Sequence, residues 1–194
     1  MKDSGAEDIQ ILELFGINEE MAFRHLFDRY YMALCIYSMQ LTDAFDLSED
    51  LVQDVLLRFW EKRVFENIST SLRSYLYAAV RNETLQYLKR ERLLSTEQLT
   101  GVEVDIPENE YNEEELMDIK NRLKIALDKL PPQEYLSIKS VILENRKYKE
   151  AAEYLGISIN TLKTHLARAL KTLRKQGNLR LLLVYIICFP IGTN

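Results

Sequence analysis

Cysteine is scarce in this sequence: only 2 of 194 residues, Cys35 and Cys188, far apart in apolar surroundings with no Cys-x-x-Cys and no histidine pair. That excludes a disulfide scaffold and a structural zinc site, and it fits a reducing, cytoplasmic compartment. Glycine (6) and proline (4) are also sparse, which excludes collagen-like and low-complexity classes, while 47% hydrophobic and 28% charged residues make an ordinary soluble balance. The longest apolar run, Leu181 to Ile191, falls short of the roughly 20 residues needed to span a bilayer and is interrupted by Pro190. Acidic and polar residues follow Met1, so no signal peptide is expected. His25 and His165 lie far apart, no glycine-rich phosphate loop occurs, and no acid cluster outside the linker described below has metal-ligand spacing. Catalysis, a metal, a cofactor and a small-molecule substrate are therefore not expected.

What is present is unevenly charged. The net charge is -5, yet from Ser95 to Asp118 every charged residue is acidic, and after Glu153 none is. The C-terminal segment carries Lys163, Arg168, Lys171, Arg174, Lys175 and Arg180, which makes it locally cationic and suited to a polyanion. Apolar spacing predicts helices throughout and no strand with convincing alternation. Asn18 reads as an N-cap before a helix burying Phe23, Leu26, Phe27, Tyr30, Leu34, Tyr37 and Leu41. Ser48, ahead of Glu49 and Asp50, reads as the cap of a second helix burying Leu51, Val52, Val55, Leu56, Phe59 and Trp60. A third runs from about Ser71 to Arg92, with Arg73, Arg81, Lys89, Arg90 and Arg92 giving it a basic side.

Periodicity fades from Leu93 to Asn112, where Gly101, Pro107 and acids accumulate. An acidic flexible linker is expected there, between 95 and 112. Helical spacing resumes at Glu113, with Leu116, Ile119, Leu123, Ala126, Leu127 and Leu130 forming a stripe that ends at Pro131 and Pro132, and a short helix follows from Gln133 to Glu144.

The most informative stretch is Tyr148 to Lys175. Ala151, Ala152 and Leu155 mark a short helix, Gly156 supplies a left-handed turn residue, and Ser158 caps a helix whose Leu162, Leu166, Ala169, Leu170 and Leu173 face inward. This is the pattern of a helix-turn-helix. The opposite face presents Lys163, Thr164, Ala167, Arg168 and Lys171, a small, polar and cationic side that fits a major groove. A merely solvated helix usually mixes signs, because Glu and Lys four apart stabilise each other, and this one has no acid.

The segments Leu130-Pro131-Pro132-Gln133, Tyr148 to Ser158 and Thr161 to Arg174 resemble region four of extracytoplasmic-function sigma factors, members of the sigma-70 family. Asp50-Leu51-Val52-Gln53-Asp54-Val55, continuing to Phe59-Trp60, and Tyr75 to Asn82 resemble region two. The resemblance implies an all-α chain of two small helical domains joined by the acidic linker: a three- to four-helix bundle at 18–94, and a helix-turn-helix domain at 113–178 followed by an apolar tail at 179–194. It implies a noncatalytic, cytoplasmic subunit of bacterial RNA polymerase that directs the core enzyme to promoters and melts DNA. Core polymerase, through its clamp coiled coil and its flap, and promoter DNA are the implied partners, with an anti-sigma factor, often membrane-bound, as a third.

Matched by position, Asp50, Gln53 and Asp54 would bind polymerase; they fall at i, i+3 and i+4, on one helical face. They also read as acids favouring the helix dipole, and both roles can hold. Ser158, Asn160, Thr161, Lys163, Thr164, Ala167, Arg168 and Lys171 match the minus-thirty-five contacts. Arg73, Arg81, Asn82, Lys89 and Arg90 match the side that meets the minus-ten element, where Asn82 and the loop Glu66 to Ser71 would capture an unstacked base; Trp60 reads as core. Lys147 stands where a capping Ser or Thr is frequent, Asn145 where Gly is, and Ala151 where a larger aliphatic is, which predicts a less stable helix-turn-helix. The competing readings are a helix-turn-helix regulator with an N-terminal sensing or dimerising module, and a helical enzyme. The acidic linker reads either as a mimic of nucleic acid in a basic channel or as a solvated spacer.

Overall fold

A computed structural model describes residues 4–68, 71–91 and 111–189. Among these residues there are nine α-helices and no strand, and the chain divides into two compact units between 106 and 107. The all-α expectation holds. Of the expected linker, 95–110 lie outside the described residues, as do 69 and 70 of the loop expected to capture a base, and 190–194.

The first unit contains α1 (Ser4–Phe15), α2 (Glu19–Thr42), α3 (Phe45–Glu61), a single 3-10 turn (Val64–Asn67) and α4 (Leu72–Arg90). Caps fix two of the helix starts: the Asn18 side chain accepts from the Met21 N–H at 3.0 Å, and the Ser71 hydroxyl accepts from the Ser74 N–H at 3.0 Å. The start of α3 differs from expectation. It begins at Phe45, and Ser48 is buried inside its first turn, bonded to the Ala44 carbonyl at 2.9 Å and to the Thr42 hydroxyl at 2.8 Å. The reason is that Asp43 takes a left-handed conformation (φ 56°), turning the chain so tightly that the next helix starts at once.

Leu26, Leu34, Tyr37, Val52, Leu56, Phe59, Leu72, Leu76, Tyr77 and Val80 are buried between α2, α3 and α4. A buried hydroxyl pair, Ser38 with Thr84 at 2.9 Å, joins α2 to α4. Trp60 is half-buried and stacks on Phe23 with ring centroids 4.6 Å apart, at the rim of that core.

The first helix expected from the sequence begins after Asn18; the structure adds α1 before it, packed on α2 and α4. Phe15 stacks on Phe65 (4.1 Å) and meets the edge of Phe59 (6.0 Å), filling the space under the 3-10 turn. Polar bonds fasten the other end: Arg29 donates to Glu7, Tyr30 donates to Asp8, and the Arg29 Nε lies 3.3 Å from Asp8. Burial pushes the Asp8 carboxyl above the ordinary aspartate value, outweighing the bond from Tyr30 and the backbone N–H of Arg73 that oppose the shift. A raised folded-state pKa favours folding fully only below the unfolded value and loses that advantage as pH rises through the folded one. Stability of the wild type relative to Asp8→Asn is therefore expected to fall as pH climbs above 3.8, read from urea melts of both proteins between acid and neutral pH. A constant difference across that range would remove the buried ionisation.

The second unit contains α5 (Glu113–Asp128), α6 (Pro132–Ile138) running into a π-helical turn (Lys139–Leu143), α7 (Tyr148–Leu155), α8 (Ile159–Lys175) and α9 (Leu179–Cys188). Asn112 and Glu115 form a reciprocal capping box at the start of α5, with bonds of 2.8 and 2.9 Å. The expected helix from Gln133 to Glu144 is continuous but widens in its last turn, where the Glu144 N–H reaches the Lys139 carbonyl at 2.9 Å. Ile119, Leu123, Ala126 and Leu127 of α5 are buried, as are Leu179, Leu182, Leu183 and Val184 of α9, which packs on α5 and α8. The apolar tail thus extends the core of this unit as far as Val184, and Tyr185 to Phe189 are half-buried.

Candidate polymerase and nucleic-acid interfaces

On α3 the three expected polymerase contacts share one face. Asp50, Gln53 and Asp54 are all exposed, with Leu57 following one turn on, itself 50% exposed. Because α3 starts at Phe45, Asp50 and Asp54 lie beyond its first turn. A helix dipole acts mainly within that turn, so the dipole gives these acids little purpose. Glu49 is the exception to the solvated picture: it is buried and accepts from the Tyr31 hydroxyl at 3.0 Å. The same hydroxyl accepts from the Gln53 amide at 3.0 Å, so Gln53 is anchored to α2 while its neighbours are exposed.

On α4, Asn82, Lys89 and Arg90 are exposed and Arg81 is half-buried. Arg73 does not belong with them. It is buried under α1, its backbone N–H bonded to Asp8 and its guanidinium 5.9 Å from the centre of the Tyr77 ring. The helix that covers it was not visible in the periodicity, which is why Arg73 reads as exposed. The ion pair of Arg58 with Glu83 ties α3 to α4 beside Asn82.

In the second unit, Asn145 (φ 50°) and Gly156 (φ 66°) both take the left-handed conformation, and they bracket α7. The missing Ser or Thr at Lys147 is partly offset, because its backbone N–H donates to the Glu150 carboxylate at 3.3 Å. Ser158 caps α8 by accepting from the Thr161 N–H at 3.0 Å, and its hydroxyl lies 2.8 Å from that of Thr161. Leu162, Leu166, Ala169, Leu170 and Leu173 are all fully buried, which fixes the rotation of α8 and turns the opposite side outward.

That outward side carries Asn160, Thr161, Thr164, Arg168 and Lys171, all exposed along with Ser158, while Lys163 and Ala167 are half-buried. The Thr164 hydroxyl donates back to the Asn160 carbonyl at 2.9 Å, leaving its oxygen free to accept. Lys163 holds its Nζ 5.3 Å from the centre of the Tyr148 ring, a contact between α8 and α7 that residue spacing alone does not predict. Among the described residues no three His, Cys, Asp or Glu side chains converge on a metal site, and no helix is long and apolar enough to cross a membrane.

Residues 26–93 match the model of sigma-70 region 2, and residues 120–173 match the model of sigma-70, region 4. The two regions stand in that order, one in each compact unit. The chain is a sigma-70 family sigma factor of the extracytoplasmic-function type. It is similar to the ECF RNA polymerase sigma factor RpoE of Cereibacter sphaeroides, 23% identical over 81% of this chain and 87% of that one. It is also similar to the ECF RNA polymerase sigma factor SigL of Mycobacterium tuberculosis, 28% identical over 80% of this chain and 89% of the other. Among solved structures it is similar to the sigma factor RpoE of Bartonella quintana, crystallised with the anti-sigma factor NepR: 28% identity over 83% of this chain and 96% of that one, with a TM-score of 0.31. As a sigma factor the protein serves transcription initiation by binding rather than by catalysis. The matched regions leave out both α1 and α9, so the helices that complete the two cores lie outside the segments by which the sigma factor is recognised.

Proposed function

We propose that this sigma factor joins core RNA polymerase through the Asp50, Gln53 and Asp54 face of α3 and reads the minus-thirty-five element with α8, in the cytoplasm. The observation that carries it is α8 itself: a capped helix whose buried leucines force a polar, acid-free, cationic side outward. Major-groove recognition needs this geometry, with short polar side chains near the helix start and cations to match guanine edges and phosphates. Ser158, Asn160, Thr161, Lys163, Thr164, Ala167 and Arg168 face the bases, and Lys171, Arg174 and Lys175 serve the backbone. Arg81, Asn82, Lys89 and Arg90 of α4 meet the minus-ten element. An anti-sigma protein is the further partner, as NepR is for the Bartonella quintana relative.

Binding and promoter-library transcription with core polymerase test this. Arg168→Ala is expected to cost about 1–3 kcal/mol and relax the preference at particular minus-thirty-five positions, whereas Lys175→Ala weakens all sequences alike and lowers the salt slope by about one. If Arg168→Ala leaves the selected motif intact, Arg168 is a phosphate contact and specificity lies with Asn160, Thr161 and Thr164. Tight sequence-specific mobility shifts without core polymerase would point instead to an independent helix-turn-helix regulator.

A further inference from the structure

We propose that Tyr31 and Glu49 are positioning residues for polymerase binding, holding the Gln53 side-chain amide so that its Oε1 meets core polymerase as a fixed hydrogen-bond acceptor. The proposal rests on the reading of the Asp50, Gln53 and Asp54 face as the polymerase-binding side of α3. Glu49 and Gln53 stand one turn apart on α3, and the Tyr31 hydroxyl of α2 bonds to both. It donates to the Glu49 carboxylate at 3.0 Å and accepts from the Gln53 Nε2 at 3.0 Å. A phenol has one proton to give, and a carboxylate can only accept. With that proton directed at Glu49, Tyr31 offers Gln53 only its oxygen, so the amide must turn its NH2 toward Tyr31. The Oε1, on the other side of the amide carbon, is thereby turned away from Tyr31, on the side of α3 that carries the exposed Asp50 and Asp54.

The anchor is itself held. Tyr31 and Glu49 are both buried, and the Tyr31 ring stacks on Phe27 with centroids 4.3 Å apart. Burial raises the Tyr31 phenol above the ordinary tyrosine value, with Cys35 and Glu49 adding to the shift, so the hydroxyl keeps its proton at neutral pH. An apolar side chain would fill the place of Glu49 without losing hydration, but it could not set the direction of the Tyr31 hydroxyl. Asp50 and Asp54 attract a basic partner whatever its approach, whereas a fixed acceptor selects the direction of one N–H donor. A glutamine free in solvent loses rotamer freedom on binding, and an anchored one has lost it already, a difference equivalent to roughly 2- to 10-fold in affinity.

The test titrates full-length Gln53→Ala, Tyr31→Phe and the double variant against core polymerase, with circular dichroism melts alongside. Gln53→Ala is expected to weaken binding by roughly 10-fold, Tyr31→Phe, which keeps the ring and loses the hydroxyl, by roughly 3-fold, and the double variant by no more than Gln53→Ala alone. A merely structural Tyr31 would weaken binding equally with and without Gln53. That additive result, or wild-type affinity in Tyr31→Phe, overturns the proposal. If Gln53→Ala binds like wild type, Gln53 makes no polymerase contact and the proposal falls. If reversing Asp50 and Asp54 to lysine also leaves the affinity unchanged, it is the reading of the whole face that has failed.

A second measurement needs no polymerase and stands even where Tyr31→Phe fails to fold. In the free full-length protein, the Gln53 NH2 protons, assigned by their absence in Gln53→Ala, are expected to show a nuclear Overhauser contact with the Tyr31 ring protons. Its absence means that the amide is not held with its NH2 toward Tyr31, and overturns the proposal. Its presence beside an unchanged core affinity in Gln53→Ala separates a held amide that meets no polymerase from one that was never held.

Discussion

Reversing both carboxylates of the exposed α3 face, Asp50→Lys together with Asp54→Lys, is expected to weaken binding to core polymerase by roughly 100-fold or more. Both side chains are exposed and lie past the first turn of a helix whose opposite side is buried through Val52, Val55, Leu56 and Phe59. Folding should hardly notice the change, since surface substitutions away from caps and cores usually stay within about 0.5 kcal/mol. An interface does notice, because each reversal turns an attraction into a repulsion at a place where water is excluded. Gln53 adds an amide at a set position, tied through Tyr31 to the buried Glu49. The check is a titration of labelled sigma factor against core enzyme at two salt concentrations, with circular dichroism melts run in parallel. Unchanged affinity with an unchanged melt would take the polymerase contact away from this face.

The second large effect concerns a helix outside the matched regions. Leu182→Ala with Leu183→Ala is expected to unfold the second unit at ordinary temperature while leaving the first intact. Both leucines are fully buried, and a Leu→Ala change in a packed core costs about 2–5 kcal/mol, whereas a whole small domain is stable by only about 5–15 kcal/mol. Limited proteolysis should then release a fragment corresponding to α1–α4, and minus-thirty-five discrimination should vanish while core binding through α3 persists. A double variant that melts and reads promoters like wild type would make α9 an accessory.

What could be read from the residues alone, and what could not, divides by distance along the chain. The caps at Asn18 and Ser158 and the turn at Gly156 are local: each needs only a side chain and the backbone a few residues on, so the signals sit side by side. Ser48 shows the limit of such signals. Ser-Glu-Asp has the composition of a helix start, but the left-handed Asp43 had already turned the chain, and Ser48 found its partners behind it. Glu49, Glu7 and Asp8 have the look of solvated acids because their partners, Tyr31, Arg29 and Tyr30, are on other helices. The same cause hides α1 and misplaces Arg73. On the candidate site, the outward side of α8 follows directly from its leucine spacing, while the link from Tyr148 to Lys163 depends on how two helices cross.

The packing of α9 on α5 also bears on the order in which the second unit can form. Among the described residues these are its last and first helices, so its core closes by joining segments far apart along the unit. Such a closure must absorb the loop entropy of everything between before any burial rewards it, which slows folding relative to a chain of neighbouring hairpins. During synthesis the helix-turn-helix emerges before the helix that completes its support. The second unit can therefore close its core only late in translation, whereas α1 to α4, made first, can fold while the rest is still being made.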